Sequence, residues 1–180
     1  MEKYNYDTAN RFAMTLGLRV GLVWIVSFIL VVLSFPSLFS DLGLMVGLVS
    51  LPLVGMNLRR FRRTLQDFTL FRLLWTSWYT FLCGVLLLTA AQYAYFAFFD
   101  KGPLLQRMTD LYTSPEMTEA LRQAGAADML DMIHESLELM GEMTTKEMMM
   151  GFLFMNMFLG LAFSLLAMLF TIGAGKAEQA

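Results

Sequence analysis

Cysteine is nearly missing from this chain. Cys83, in the middle of an apolar run, stands alone, which excludes an internal disulfide and any paired-cysteine metal or redox motif. Histidine is equally scarce: with His134 as the single imidazole, no histidine-rich metal cluster can form. Charge is thin as well. Charged residues make up 16% of the 180 positions and hydrophobic ones 57%, where a soluble domain carries about a quarter charged and somewhat under half apolar. That imbalance excludes an ordinary soluble domain and points to a membrane. A net charge of −2 gives no ground for a nucleic-acid partner. Neither a glycine-rich phosphate loop nor a serine-nucleophile motif is present. The apolar runs also lack the series of carboxylates that a proton-coupled transporter needs.

What the chain does have is long apolar stretches. A hydrocarbon core of about 30 Å takes roughly 20 helical residues, and four segments approach that: Phe12 to Phe35, Leu42 to Leu58, Leu73 to Phe99 and Glu147 to Gly173. The first is too long for a signal-peptide core and no small-x-small cleavage site follows it, so it reads as an uncleaved anchor. The second is short and contains Pro52, which leaves a re-entrant or thinned segment open beside a full crossing. The fold class is therefore all-α: an integral membrane four-helix bundle with an amphipathic helical segment outside the membrane between spans three and four.

The distribution of Lys and Arg orients these spans. The loop 57–72 carries Arg59, Arg60, Arg62, Arg63 and Arg72 against Asp67; Lys3 and Arg11 lie in the tail 1–11, and Lys176 in the tail 174–180. With four spans all of these fall on one side. The long segment 100–146, with nine acids and four bases, falls on the other. Positive residues stay inside, so the expectation is a multi-pass membrane protein with both termini on the inner, cytoplasmic side. Spans one to three occupy 12–99, the outer acidic helices 100–146 and span four 147–173. Trp75, Trp78 and Tyr79 mark the inner interface of span three, and Tyr93 and Tyr95 its outer one, since amphipathic rings settle at headgroup depth.

Few polar groups interrupt the spans. Arg19 is the ionisable one; its position in span one suggests a site near the inner end, where the stem can snorkel to headgroups, or else a buried cation facing the bundle. Gln92 and Asn156 are candidates to hydrogen-bond neighbouring helices. Small residues recur at four-residue spacing: Gly17 with Gly21, Gly43 with Gly47, Ala90 with Ala94, and Gly160 with Ser164. That spacing lets helix backbones approach closely, within the chain or between copies.

The inner loop has Leu58, Phe61, Leu65 and Phe68 at helical spacing with arginines between them, the pattern of a basic amphipathic helix on a membrane surface. Anionic lipid headgroups or a cytoplasmic partner would meet it there; the plainer reading is that these arginines only set topology. In the outer segment, Ser114-Pro115-Glu116 opens a helix and Gly125 closes it. A second helix follows with Leu130, Ile133, Leu137 and Met140 on one stripe and Asp128, Asp131, Glu135, Glu138 and Glu142 on another. Thr144 and Glu147 have capping-box spacing and start span four. Seven methionines fall between Met140 and Met157. Thioether sulfur is a copper(I) ligand type, but Met148, Met149 and Met150 point around the helix. The expectation is flexible packing, with no metal and no cofactor.

In order of features ("RFAMTLGLRVGLVWIVSFIL", a short second span, an arginine-rich inner loop, "AQYAYFAFFDKGPLLQRM", acidic helices and a last span) the chain resembles the bacterial family of small integral membrane proteins known as domain of unknown function 4199. "RFAMTLG" and "YAYFAFFD" are the most specific parts. The resemblance implies this topology and brings no catalytic residues. The expected role is a non-enzymatic accessory or scaffold protein of a larger envelope-related assembly, held by a membrane protein partner or by its own copies. The alternative is a small oligomeric transporter, channel or lipid-translocating unit in which Arg19, Gln92 and Asn156 line one path. An enzyme using His134 with Glu135 or Asp131 is disfavoured, because neighbours on one helix seldom converge on a substrate.

Overall fold

The structure, a computed structural model, describes residues 5–35, 37–65, 69–100, 103–126 and 128–176. Lys3, Asp67 and Phe68 lie outside the described residues. Among the described residues eight helices follow one another: α1 Tyr6–Ser34, α2 Leu38–Leu48, α3 Ser50–Thr64, α4 Leu70–Phe98, α5 Pro103–Tyr112, α6 Pro115–Gln123, α7 Asp128–Glu142 and α8 Thr145–Lys176. Four stretches of the described residues are long and apolar enough to cross a membrane: α1, Asp41–Thr64 across α2 and α3, α4, and Thr145–Ile172 of α8. In a helix every backbone donor and acceptor between the ends is satisfied locally, which is the condition hydrocarbon imposes.

The ends extend beyond the expected spans. Residues 6–11, expected as tail, already belong to α1, whose Asn5 side chain caps the helix by accepting from the Asp7 amide at 3.0 Å. The loop expected over 57–72 is helical at both ends. Arg59, Arg60, Arg62 and Arg63 form the last turns of α3, and Arg72 lies in the first turn of α4. They therefore extend the second membrane-length stretch; they do not form a separate helix lying across it. Basic residues suit this position, because a helix C-terminus carries partial negative charge.

The second stretch is longer than its apolar core suggests. Pro52 has no N–H for the Leu48 carbonyl, and the chain breaks into α2 and α3 at Val49. The register resumes at once, with Val49 N donating to Met45 O and Leu53 N to Val49 O, both at 3.3 Å. Gly43 sits against Val31 near one end of α1, and Phe61 stacks on Phe12 near the other, with ring centroids 4.2 Å apart. The nineteen residue steps of α1 from Phe12 to Val31 span about 28 Å. The segment thus runs the length of α1 and does not turn back.

Contacts between α1 and α4 advance together: Gly17 meets Thr80 and Cys83, Gly21 meets Gly84 and Leu87, and Phe28 meets Tyr95 and Phe96. The two helices are parallel. α8 packs on α4 and, through its second half, on α3. Four aromatic and hydroxyl groups join all the long stretches at the centre. Trp24 Nε1 donates to Ser50 Oγ at 3.0 Å, while the Trp24, Phe81 and Phe163 rings lie within 6 Å of one another. Around them the buried core adds Leu16, Val20, Val54, Leu58, Val85 and Ala167.

The short helices α5, α6 and α7 pack on one another at the end of the bundle where α1 finishes and α8 begins. Ser114 caps α6 by accepting from the Met117 amide, as its sequence implies. The helix ends in a Schellman turn: Ala126 N donates to Leu121 O, Gly125 N to Arg122 O, and Gly125 has φ +71°, a conformation that favours glycine. In α7 Leu137 is buried, Leu130, Ile133 and Met140 are half-buried, and all five acids are exposed. The capping box at α8 is closed, Glu147 Oε2 accepting from Thr144 N at 2.9 Å and from Thr144 Oγ1 at 2.8 Å.

Candidate functional site

Small residues decide how close the long helices come, and so where polar side chains can meet. A Cβ on Gly17 would fall 2.5 Å from Thr80 O, and one on Gly21 2.8 Å from a Leu87 methyl. Gly43 and Gly47 press on α1, and Ser27 Oγ donates to Gly43 O at 2.7 Å. Gly160 lies against Val85 and Phe81, and Ser77 Oγ donates to Ser164 O at 3.1 Å. All six predicted packing residues therefore work within the chain. Ala90 and Ala94 do not join them: Ala90 is exposed, and the α4 glycine at the close crossing is Gly84, which touches Val20, Gly17 and Gly21.

The close approach of α4 and α8 brings Gln92 and Asn156 together. Asn156 Nδ2 donates to Gln92 Oε1 at 2.9 Å and to Thr89 Oγ1 at 3.4 Å. Both residues are buried, at 7% and 8% exposure. Among the described residues the remaining amide groups, Asn156 Oδ1 and Gln92 Nε2, have no partner. A buried polar group left unpaired is costly, and a hydrogen-bonded amide pair is a common bond between membrane helices.

This pair stands where two apolar hollows meet. One, of about 500 Å³, lies between α1, α2, α4 and α8; Trp24, Leu44, Leu88, Asn156 and Phe163 are among its walls. The other, of about 310 Å³, has Gln92, Phe96 and Phe152 in its wall, with Leu104 and Met108 of α5 and Met140 of α7 as its roof. Phe28 and Val31 line both. The hollow forms because α2 packs on α1 while α3, past the Pro52 break, packs on α8. The methionines belong to this picture. Met108, Met140 and Met148 pack where the short helices meet the bundle, Met149 is buried, and Met150 faces out. His134 is exposed, and the described residues include no group of three or more His, Cys, Asp or Glu able to hold a metal.

Arg19 is elsewhere. Its side chain is exposed on the outward face of α1, beside Leu18 and Leu22, so it does not share a cavity with Gln92 and Asn156. It has no hydrogen-bond or ion-pair partner among the described residues. It stands midway along α1, the fourteenth of its 29 residues. Gly17 and Gly21 flank it and meet α4 between Thr80 and Leu87. The midpoint between Trp75 and Tyr95 is near Val85, so Arg19 lies about two residues, or roughly 3 Å, from that midpoint.

At the far end of α3, Arg59, Arg60 and Arg63 surround Met56 in a shallow hollow of about 180 Å³, with Arg62 exposed beside it. Sequence reasoning missed the Trp24–Ser50 bond, the Ser27–Gly43 bond and α5. For α5 the signal was there: Asp100, then Pro103, then Leu104, Leu105, Met108 and Leu111 at helical spacing. Asp100 accepts from the Leu104 amide at 3.2 Å and from Tyr95 Oη at 3.2 Å, tying α5 to α4.

The comparison with known families agrees with the resemblance drawn from the sequence: the chain belongs to the family described as protein of unknown function (DUF4199), which it matches over residues 15–171. No curated protein and no solved structure matches it.

Proposed function

We propose that this chain is a non-enzymatic accessory protein of the bacterial inner membrane, crossing it four times with both termini cytoplasmic. It docks a second membrane protein of an envelope-related assembly through the Arg19 face of α1. The short helices α5 to α7 form a cap on the outer side, and the arginines at the end of α3 meet anionic headgroups on the inner side.

One observation carries this reading. Arg19 faces outward midway along α1 without a partner among the described residues. An arginine at this depth costs about 2.5–3.5 kcal/mol by insertion measurements and more by simulation. Residues near the centre are roughly 15 Å from either headgroup layer, a long reach even for a snorkelling stem. A carboxylate or amide on a neighbouring protein would replace that cost with a charge-assisted hydrogen bond. The transport alternative loses its proposed lining, since Arg19 faces away from the Gln92–Asn156 pair.

The test is purification of tagged wild-type protein and Arg19→Leu from native membranes in nanodiscs, with mass spectrometry of what accompanies each. The expected result is a stoichiometric partner with the wild type that is lost from a normally folded variant. A clean homo-oligomer without a partner, or equal retention by both forms, would refute the reading.

A further inference from the structure

The paired hollows, and the two amide groups between them that lack a partner among the described residues, carry an inference that does not depend on the Arg19 face. We infer that the crevice between α2 and α8 holds the amide-linked acyl chain of a membrane lipid, with Asn156 and Gln92 binding its amide group.

Depth comes first. Gln92 lies seven residues outward of the α4 midpoint near Val85, about 10 Å along the helix. Hydrocarbon ends about 15 Å from the centre, so the pair lies just beneath the layer where headgroups join acyl chains. From Asn156 the larger hollow runs inward along α8 to Phe163, past Leu88, Trp24 and Leu44. A chain entering there from the bilayer exchanges one apolar environment for another, and the lining itself gives little selectivity.

Selectivity comes from the amides. Asn156 Oδ1 is an acceptor and Gln92 Nε2 a donor, both on side chains more than nine-tenths buried, and each residue lines a different hollow. The matching ligand group presents one donor and one acceptor a short distance apart, with hydrocarbon on either side. A secondary amide does this: its N–H meets Asn156 Oδ1 and its C=O meets Gln92 Nε2. An ester has only acceptors and leaves Asn156 Oδ1 unpaired. The smaller hollow, roofed by Leu104, Met108 and Met140, covers the apolar groups on the other side of the linkage.

The full chain is reconstituted in phosphatidylcholine nanodiscs with a trace of either a ceramide, which is amide-linked, or a diacylglycerol, its ester-linked counterpart with a similarly small head. Retained lipid is counted by native mass spectrometry. Wild type should hold the ceramide over the diacylglycerol by about tenfold, the ratio that one satisfied buried hydrogen bond carries. Asn156→Leu should keep chain binding and lose that preference. Leu44→Trp fills the larger hollow from the exposed helix α2 without touching the amides, and should lose both lipids with its melting temperature kept. Equal retention of the two lipids by wild type, no retention of either, or undiminished binding in Leu44→Trp overturns the inference.

Discussion

Single residues in this bundle act through hydrogen bonds that cross between helices, and Trp24 is the clearest case. Its indole touches Phe81 and Phe163, while its N–H donates to Ser50, whose own hydroxyl donates to Gly47 O at 2.7 Å. Such bonds between membrane helices contribute about 0.6 kcal/mol on average and up to about 1.7. Trp24→Phe removes the donor and some ring volume; Ser50→Ala removes the acceptor together with the hydroxyl's own bond to Gly47 O. Thermal unfolding in detergent should show each single change destabilising by about 1 kcal/mol, with the double change falling short of the sum by roughly the energy of the bond. Strict additivity would mean the bond contributes nothing. At this scale the glycine spacings were legible, because close approach needs small residues wherever it occurs. The partners of Ser27, Ser50 and Trp24 were not, because one-helix spacing does not reveal which side chain on another helix lies opposite. Gln92 and Asn156 were visible as polar intruders, but their pairing depends on the registry of α4 against α8.

Among the elements, the second membrane-length stretch has the most unusual construction. Counting apolar residues ended it at Leu58, because arginines follow. The helix continues to Thr64 all the same, since basic residues are good helix formers and favour a C-terminus. Pro52 divides it, and the division separates the half that packs on α1 from the half that packs on α8, so the larger hollow owes its shape to that proline. Pro52→Ala restores the donor to Leu48 O and removes the ring clash, which should straighten the stretch and move α2 relative to α8. Spin labels at exposed Met45 and Leu159 would report this: their distance distribution should shift by a few ångströms in the Ala variant, and an unchanged distribution would assign the break to packing instead. The capping box at Thr144 and the Schellman turn at Gly125 were readable because their signals are local. α5 was overlooked for a similar reason, its cap being split over Asp100 and Pro103 across a short connection.

On the scale of the whole molecule, the charges separate along the bundle axis. Arg11, Arg59, Arg60, Arg62, Arg63 and Arg72 gather where Phe12 stacks on Phe61, and the exposed acids of α7 lie at the opposite end. A translocating chain keeps its arginines on the cytoplasmic side, and acids have little say, so the basic end should be cytoplasmic and the α5–α7 cap external. Site-directed labelling tests this in a Cys83→Ser background. Glu138 and Arg62 are both exposed and at opposite ends. In intact cells a membrane-impermeant maleimide should modify Glu138→Cys at once and Arg62→Cys only after the membrane is opened. The reverse order would invert the protein and put the cap in the cytoplasm. Labelling of both in intact cells would mean that α4, the membrane-length helix that lies between the two positions in the chain, does not separate them. The same experiment therefore reads the orientation of the bundle and the crossing by α4, the helix along which the depth of the Asn156–Gln92 pair is counted.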